Sequence, residues 1–182
     1  MKPPFDDLFS IRGRTALVTG GSRGIGEMIA AGFLAAGAKV CISSRKADAC
    51  DAAAKRLEDT YGGTCVSLPA DLSRLDGVES LAKRLAEREP QLDILVNNAG
   101  ATWGAPLDAF PEAGWDKVMD TNVKGVFFLT QKLLPLLRKS GASGPPARVI
   151  NIGSIDGLRP SGFDAISYGA SKAAVLHLTR FL

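Results

Sequence analysis

Short apolar runs alternate along this chain with longer stretches whose apolar residues recur every three or four positions. The runs at 15–18, 39–43, 64–68, 92–96 and 148–152 read as buried strands. Helices are predicted between them. Ile25, Ile29 and Phe33 share one helical face in a segment ending near Gly37, and residues 47–61 form an Ala-rich helix closed by Gly62 and Gly63. Ser73 is placed to cap a helix carrying Val78, Leu81, Ala82 and Leu85, which stops before Pro90. A long amphipathic segment, 112–138, carries Val118, Asn122, Val126, Leu129, Leu133 and Leu137 at helical spacing, and Pro135 should kink or fray its end. The Gly- and Pro-rich residues 141–146 read as a loop, and 166–182 as a last helix. Alternation of strand and helix from end to end predicts an α/β fold: a doubly wound parallel sheet, five strands visible, order 3-2-1-4-5. Ligands enter such a sheet at the carboxyl ends of its strands.

Composition narrows this reading. Of 182 residues, 46% are hydrophobic and 23% charged, enough for one core and too few for two, so a single domain over residues 1–182 is expected. Twenty-two basic and 19 acidic residues leave a charge of +3, and the basic ones are scattered, which argues against nucleic acid as a partner. Residues 1–7 hold no apolar core of signal-peptide length, and nowhere do roughly 18 apolar residues run unbroken. No membrane partner and a cytoplasmic location are expected. Cys41, Cys50 and Cys65 lack C-x-x-C spacing, so neither disulfide nor metal is anticipated.

The first candidate chemistry lies at residues 19–26, T-G-G-S-R-G-I-G, where the first strand passes into a helix. Glycines at 20, 24 and 26 allow a tight turn and close approach of a ligand, while the first N–H groups of the helix are unpaired and partly positive, a ready site for a pyrophosphate. Ser22 and Ile25 break the usual G-x-G-x-x-G spacing, so the mechanics carry the case for this Rossmann-type turn. The second strand ends in Ser43-Ser44-Arg45-Lys46, with no carboxylate before Asp48. Arg45 and Arg23 can grip a 2′-phosphate, which favours NADPH over NADH. The cofactor-binding residues so expected are Gly20, Ser22, Arg23, Gly24, Ile25, Gly26 and Arg45.

The second candidate lies at Tyr168-Gly169-Ala170-Ser171-Lys172, which puts a phenol and an ammonium one helical turn apart on one face. A free phenol titrates at about pH 10, and a neighbouring cation favours its ionised form. Ser154, just past the fifth strand, is placed to hold a substrate oxygen.

Taken together, these residues resemble the short-chain dehydrogenase/reductase family, from Arg14 to the end of the chain. The family's T-G-x-x-x-G-x-G stands at 19–26, its N-N-A-G at 97–100, its helix asparagine at Asn122, its serine at Ser154 and its Y-x-x-x-K at Tyr168 to Lys172. The resemblance implies a reductase of a small carbonyl substrate: Tyr168 protonates the carbonyl oxygen while NADPH delivers hydride, and Ser154 polarises the carbonyl. Lys172 binds nicotinamide ribose hydroxyls and favours the phenolate, and Asn122 holds a water linking Lys172 to solvent. Asp71 and Leu72 would border the adenine, and Asn98 would pack against the cofactor. The segment 112–138 and the helix of Tyr168 would build a subunit interface, giving a homodimer or homotetramer. Within the family, T-W-G-A at 102–105 and R-V-I-N-I-G-S at 148–154 look most like 3-oxoacyl reductases, including the rhamnolipid-synthesis type. Reductases of sugars, polyols or other small ketones share most of this and form the alternative. Trp103 and Phe163 are candidates for lining the substrate site or for packing, and His177 reads as structural.

Family members continue for two more strands and a covering segment with a P-G turn, none of which follows Leu182. A missing C-terminal part is therefore expected, leaving the fifth strand as an unprotected edge. A chain truly ending there would support a third reading, a non-catalytic nucleotide- or partner-binding fragment.

Overall fold

A computed structural model describes residues 9–160 and 164–182, so the expectations for residues 1–7 and for Phe163 lie outside the described residues. Its strands are β1 (Thr15–Thr19), β2 (Lys39–Ser43), β3 (Cys65–Ser67), β4 (Ile94–Asn97) and β5 (Arg148–Asn151). They form one parallel sheet in the order β3-β2-β1-β4-β5. The helices are α1 (Gly24–Ala35), α2 (Ala47–Tyr61), α3 (Leu75–Ala86), α4 (Glu112–Met119), α5 (Gly125–Ser143) and α6 (Ile166–Leu178).

Register explains why the inner strands are apolar at nearly every position. Leu17 pairs with Cys41 and Leu95, Val18 with Ile42 and Val96, so neighbours in register point to the same face. Val18, Ile42 and Val96 pack with Ala30 and Leu34 of α1 and Leu57 of α2. Leu17, Cys41 and Leu95 pack with Leu81 and Leu85 of α3 and Leu129 and Leu133 of α5. With helices on both faces, neither set of side chains meets water. β5 lies at the edge, its Arg148 and Ile150 exposed.

Four local expectations change. Ser73 does not cap α3: its N–H and hydroxyl both donate to Asp71 Oδ1, at 3.1 and 2.8 Å, and the helix starts one step later with Arg74 at the cap position. The segment 112–138 is two helices, α4 and α5, joined by a π-turn at Asp120–Lys124. α5 then runs through Pro135 into the expected loop, because Leu136 and Leu137 beyond the proline are buried against the sheet and hold the helix in line. α6 stops at Leu178, where the Thr179 N–H and hydroxyl turn back onto the carbonyl of Val175.

Polar side chains lock the strand ends. At the amino ends, Asp93 accepts from the Thr15 N–H (2.7 Å), Ser140 Oγ (2.6 Å), Gln91 Nε2 (3.0 Å) and Arg14 Nη1 (3.2 Å). At the carboxyl ends, the Asn97 amide donates to Thr130 Oγ1 (3.1 Å) and Asn151 Oδ1 (2.9 Å), and the Asn151 amide to Thr179 Oγ1 (3.0 Å). This chain of bonds joins α5, β4, β5 and the end of α6.

Candidate active site

Between β1 and α1 the chain reverses on glycine. Gly20 (φ +66°) and Gly24 (φ +56°) lie in the left-handed region, where a side chain is strained. A Cβ on Gly20 would sit 2.8 Å from Asn98 Nδ2, and one on Gly26 would overlap the Gly20 carbonyl, so the helix can start this close to the strand only on glycine. A Cβ on Gly24 would meet no other part of the chain within 4 Å. Arg23 stands at the cap position in extended backbone and makes no side-chain cap bond, so no side chain caps the first N–H groups of α1. An open turn with uncapped donors fits a pyrophosphate. Ser22 beside it is half-buried, while Arg23 and Ile25 are exposed.

The neighbouring strand ends converge on this turn. The Gly21 N–H donates to the Ser43 carbonyl at 3.1 Å, and Arg45 follows, exposed, two residues after Ser43. Thr19 Oγ1 donates to the Val96 carbonyl (3.2 Å) and accepts from the N–H groups of Asn98 and Ala99, each at 3.0 Å. The Asn98 amide donates to the carbonyls of Thr19 (2.9 Å) and Gly20 (3.4 Å). Asp71 and Leu72 follow β3; a Cβ on Gly77 would overlap the Asp71 carbonyl, and one on Gly125 would come within 2.5 Å of the Leu72 carbonyl. α3 and α5 therefore press directly on that backbone.

α6 carries Tyr168 and Lys172, with the Lys172 Nζ 5.6 Å from the centre of the phenol ring. The same Nζ donates to the Ile152 carbonyl, just past β5, at 2.6 Å. Burial strips water from this ammonium and pulls its pKa below the ordinary lysine value. Ser154 heads a short turn, Ile155–Gly157, and its Oγ accepts from the Asp156 N–H at 3.2 Å, which leaves the hydroxyl proton for another acceptor. That turn lies against α6, because a Cβ on Gly157 would approach the Lys172 carbonyl carbon to 2.7 Å.

Asn122 sits inside the π-turn, buried. Its Oδ1 accepts from the Ala101 N–H (2.8 Å), and its amide donates to the Ala101 carbonyl (3.0 Å) and to Ser171 Oγ (2.9 Å). Both amide hydrogens are thus committed to protein atoms, so the side chain fastens two segments and has no proton to offer a water.

Trp103 packs on α4: its ring covers Gly114, where a Cβ would come to 2.7 Å, and Lys117 Nζ lies 5.1 Å from the ring centre. His177 stands edge-on to Phe181 at 5.3 Å, in an open apolar groove of about 590 Å³ between the π-turn and α6. Sequence reasoning passed over Thr19, Gly157 and Ser171. An isolated glycine three residues after the serine was the available signal for Gly157, and the leading threonine of T-G-x-x-x-G-x-G was the signal for Thr19; Ser171 acts through a hydrogen bond that no local pattern marks.

A parallel sheet in this order, with a glycine turn, an N-N-A-G loop and a Tyr–Lys pair at its carboxyl edge, defines a dinucleotide-dependent oxidoreductase fold. The chain matches the short chain dehydrogenase family over residues 14–182 and belongs to it. It is 56% identical over 174 residues to the rhamnolipids biosynthesis 3-oxoacyl-acyl-carrier-protein reductase of Pseudomonas aeruginosa, covering 96% of this chain and 67% of that protein. It is 36% identical over 179 residues to gluconate 5-dehydrogenase of Gluconobacter oxydans, covering 96% and 66%. Among solved structures, the Pseudomonas aeruginosa RhlG/NADP active-site complex matches with a TM-score of 0.90 at 55% identity, over 95% of this chain and 67% of that one. The chain spans about two thirds of the length of these relatives.

Proposed function

We propose that residues 1–182 form one dinucleotide-binding domain, with the catalytic group, of an NADPH-dependent oxidoreductase that reduces a 3-oxoacyl thioester to the 3-hydroxy product. The observation that carries this reading is the Tyr168 ring 5.6 Å from a buried ammonium that rests on the Ile152 carbonyl, two residues before Ser154. Similarity to the Pseudomonas aeruginosa reductase supports the substrate class, and similarity to the RhlG/NADP complex supports the cofactor.

NADPH supplies the hydride when bound. Gly20, Ser22, Gly24, Ile25 and Gly26 hold its pyrophosphate, Arg23 and Arg45 its 2′-phosphate, Asp71 and Leu72 flank the adenine, and Asn98 packs against the cofactor. Lys172 and Tyr168 take the nicotinamide ribose hydroxyls. Ser154 donates its free hydroxyl proton to the substrate carbonyl and aims that oxygen at the phenol. Tyr168 then gives up its proton to the oxygen. Lys172 steadies the negative charge left behind.

NADPH oxidation with acetoacetyl thioesters and with keto sugars tests the reading. Thioester reduction that falls about 10²- to 10⁴-fold in Tyr168→Phe, with NADPH affinity retained, supports it; a rate within about tenfold of the parent in that variant removes Tyr168 from its role. Similarity to gluconate 5-dehydrogenase favours a second reading, a sugar or polyol substrate, which reduction of the keto sugars alone would select. The apolar groove between the π-turn and α6, with Phe127 and Phe181 exposed along it, fits a second copy of this chain, giving a homodimer or homotetramer. Sedimentation showing a monomer would reject that partner. We place the protein in the cytoplasm, where its three buried free thiols are stable and NADPH is regenerated.

A further inference from the structure

Ser171 has no exposed surface and stands between the two residues of the Tyr–Lys pair. Its Oγ donates to the Tyr168 carbonyl at 2.7 Å and accepts from the Asn122 amide at 2.9 Å. A helical serine bonding back to the carbonyl three residues earlier is common and does nothing more than bend the helix slightly. The incoming bond from Asn122 changes the meaning of this one. The same Asn122 amide group is clamped at both its oxygen and its nitrogen to the Ala101 backbone, in the loop that follows N-N-A-G. The hydroxyl therefore closes a path of fixed bonds from that loop, through the π-turn, to the backbone of Tyr168 itself.

We propose that Ser171 is a positioning residue, which sets the height of Tyr168 and Lys172 over the strand ends by holding α6 to Asn122. The inference rests on the ketone-reductase reading. Lys172 has one other anchor to the sheet, the Ile152 carbonyl at 2.6 Å, and that bond holds the end of a flexible side chain. Asn151 and Thr179 hold only the far end of the helix. At the level of Tyr168, the Ile155–Gly157 turn packs on one part of the α6 backbone, and the Ser171 hydroxyl makes the side-chain hydrogen bond that ties that backbone to the π-turn. Without it, the helix keeps its apolar contacts through Val175 and its own backbone bonds, so the variant folds, but the phenol sits less well over the substrate oxygen.

A double-mutant cycle tests this on the full chain, with an acetoacetyl thioester and NADPH as probes. Ser171→Ala should lower kcat about tenfold, with the KM values for both substrates changed less than about twofold, and Ser171→Thr, which keeps the hydroxyl, should recover most of the rate. In an Asn122→Ala background, Ser171→Ala should cost less than about twofold, because its partner is already gone. An equal loss in both backgrounds, or a loss confined to KM for NADPH, overturns the proposal. If the unmodified chain reduces no ketone, the reductase reading has failed and the anchor is read from amide exchange. Residues 168–172 should exchange at least about tenfold faster in Ser171→Ala, with α1 unaffected, and no faster once Asn122 is also replaced; unchanged exchange overturns it.

Discussion

Asp93 lies at the amino ends of the central strands and Lys172 sits beside their carboxyl ends, and the two buried charges are served differently. Asp93 is 5% exposed and Lys172 7%, so each has lost nearly all its water. Burial works against the Asp93 carboxylate, but bonds from Ser140, the Thr15 N–H and Arg14 outweigh it and hold the carboxyl below the usual range. Lys172 has the Ile152 carbonyl and an aromatic ring, and burial alone governs it, drawing its pKa down. The amino edge of the sheet is therefore built for stability, whereas the carboxyl edge carries a charge held at a cost, the usual condition of a catalytic group.

The sharpest break of this comparison is Lys172→Met. Turnover should fall about 10³-fold, roughly 4 kcal/mol in the barrier. The same variant should gain about 1 kcal/mol in stability at neutral pH, a rise of about 2–4 °C in Tm, because it no longer buries an ammonium. A fall in Tm would mean that Lys172 is compensated after all. The sign follows from linkage: with the folded pKa below the unfolded one, the unfolded chain holds the proton longer, so this site contributes stability only as pH rises through the folded value.

Next in size is Asp93→Ala, which strands several donors and should cost about 3 kcal/mol while leaving the turnover of the folded fraction unchanged. Urea titration and active-site-normalised rates check the two halves. Its pH signature is opposite to that of Lys172. The depressed folded pKa makes Asp93 stabilising above its unfolded value of about 4, a contribution lost as pH falls through the folded pKa, so the variant should show a flatter acid limb than the parent. The smallest effect expected is Arg14→Ala. Arg14 is 28% exposed and its pair with Asp93 is partly screened, so about 0.5–1 kcal/mol should be lost; a loss as large as that of Asp93→Ala would show the network hinging on the ion pair.

Much of this architecture was readable beforehand. The parallel sheet and the sharing of one edge by Gly20, Asn98 and Ser154 follow from apolar runs alternating with helical periods, and those periods are local; alternation alone does not choose the order 3-2-1-4-5 among doubly wound sheets. Less readable was the middle of the chain. The segment 112–138 keeps its apolar spacing across Asp120–Lys124, so the periodicity passes over a π-turn, after which Gly125 lies too close to the Leu72 carbonyl to carry a side chain. Ser73 matched a cap by type, but a nearer acceptor, Asp71, took its hydroxyl. Trp103, beside the N-N-A-G loop in sequence, packs on α4, one of the two roles its position left open.

Local order in this protein is written in side-chain spacing over a few residues: which segments are strands, where glycine must turn the chain, and which phenol and ammonium share a helical face. Folding alone decides the pairing of groups distant along the chain. Asn122 meets Ser171 across 49 positions and Thr19 meets Asn98 across 79, and both bonds depend on packing that brings backbones within a few ångströms. Hydrogen bonds are short-ranged and directional, so their partners emerge only when the core has set the distances.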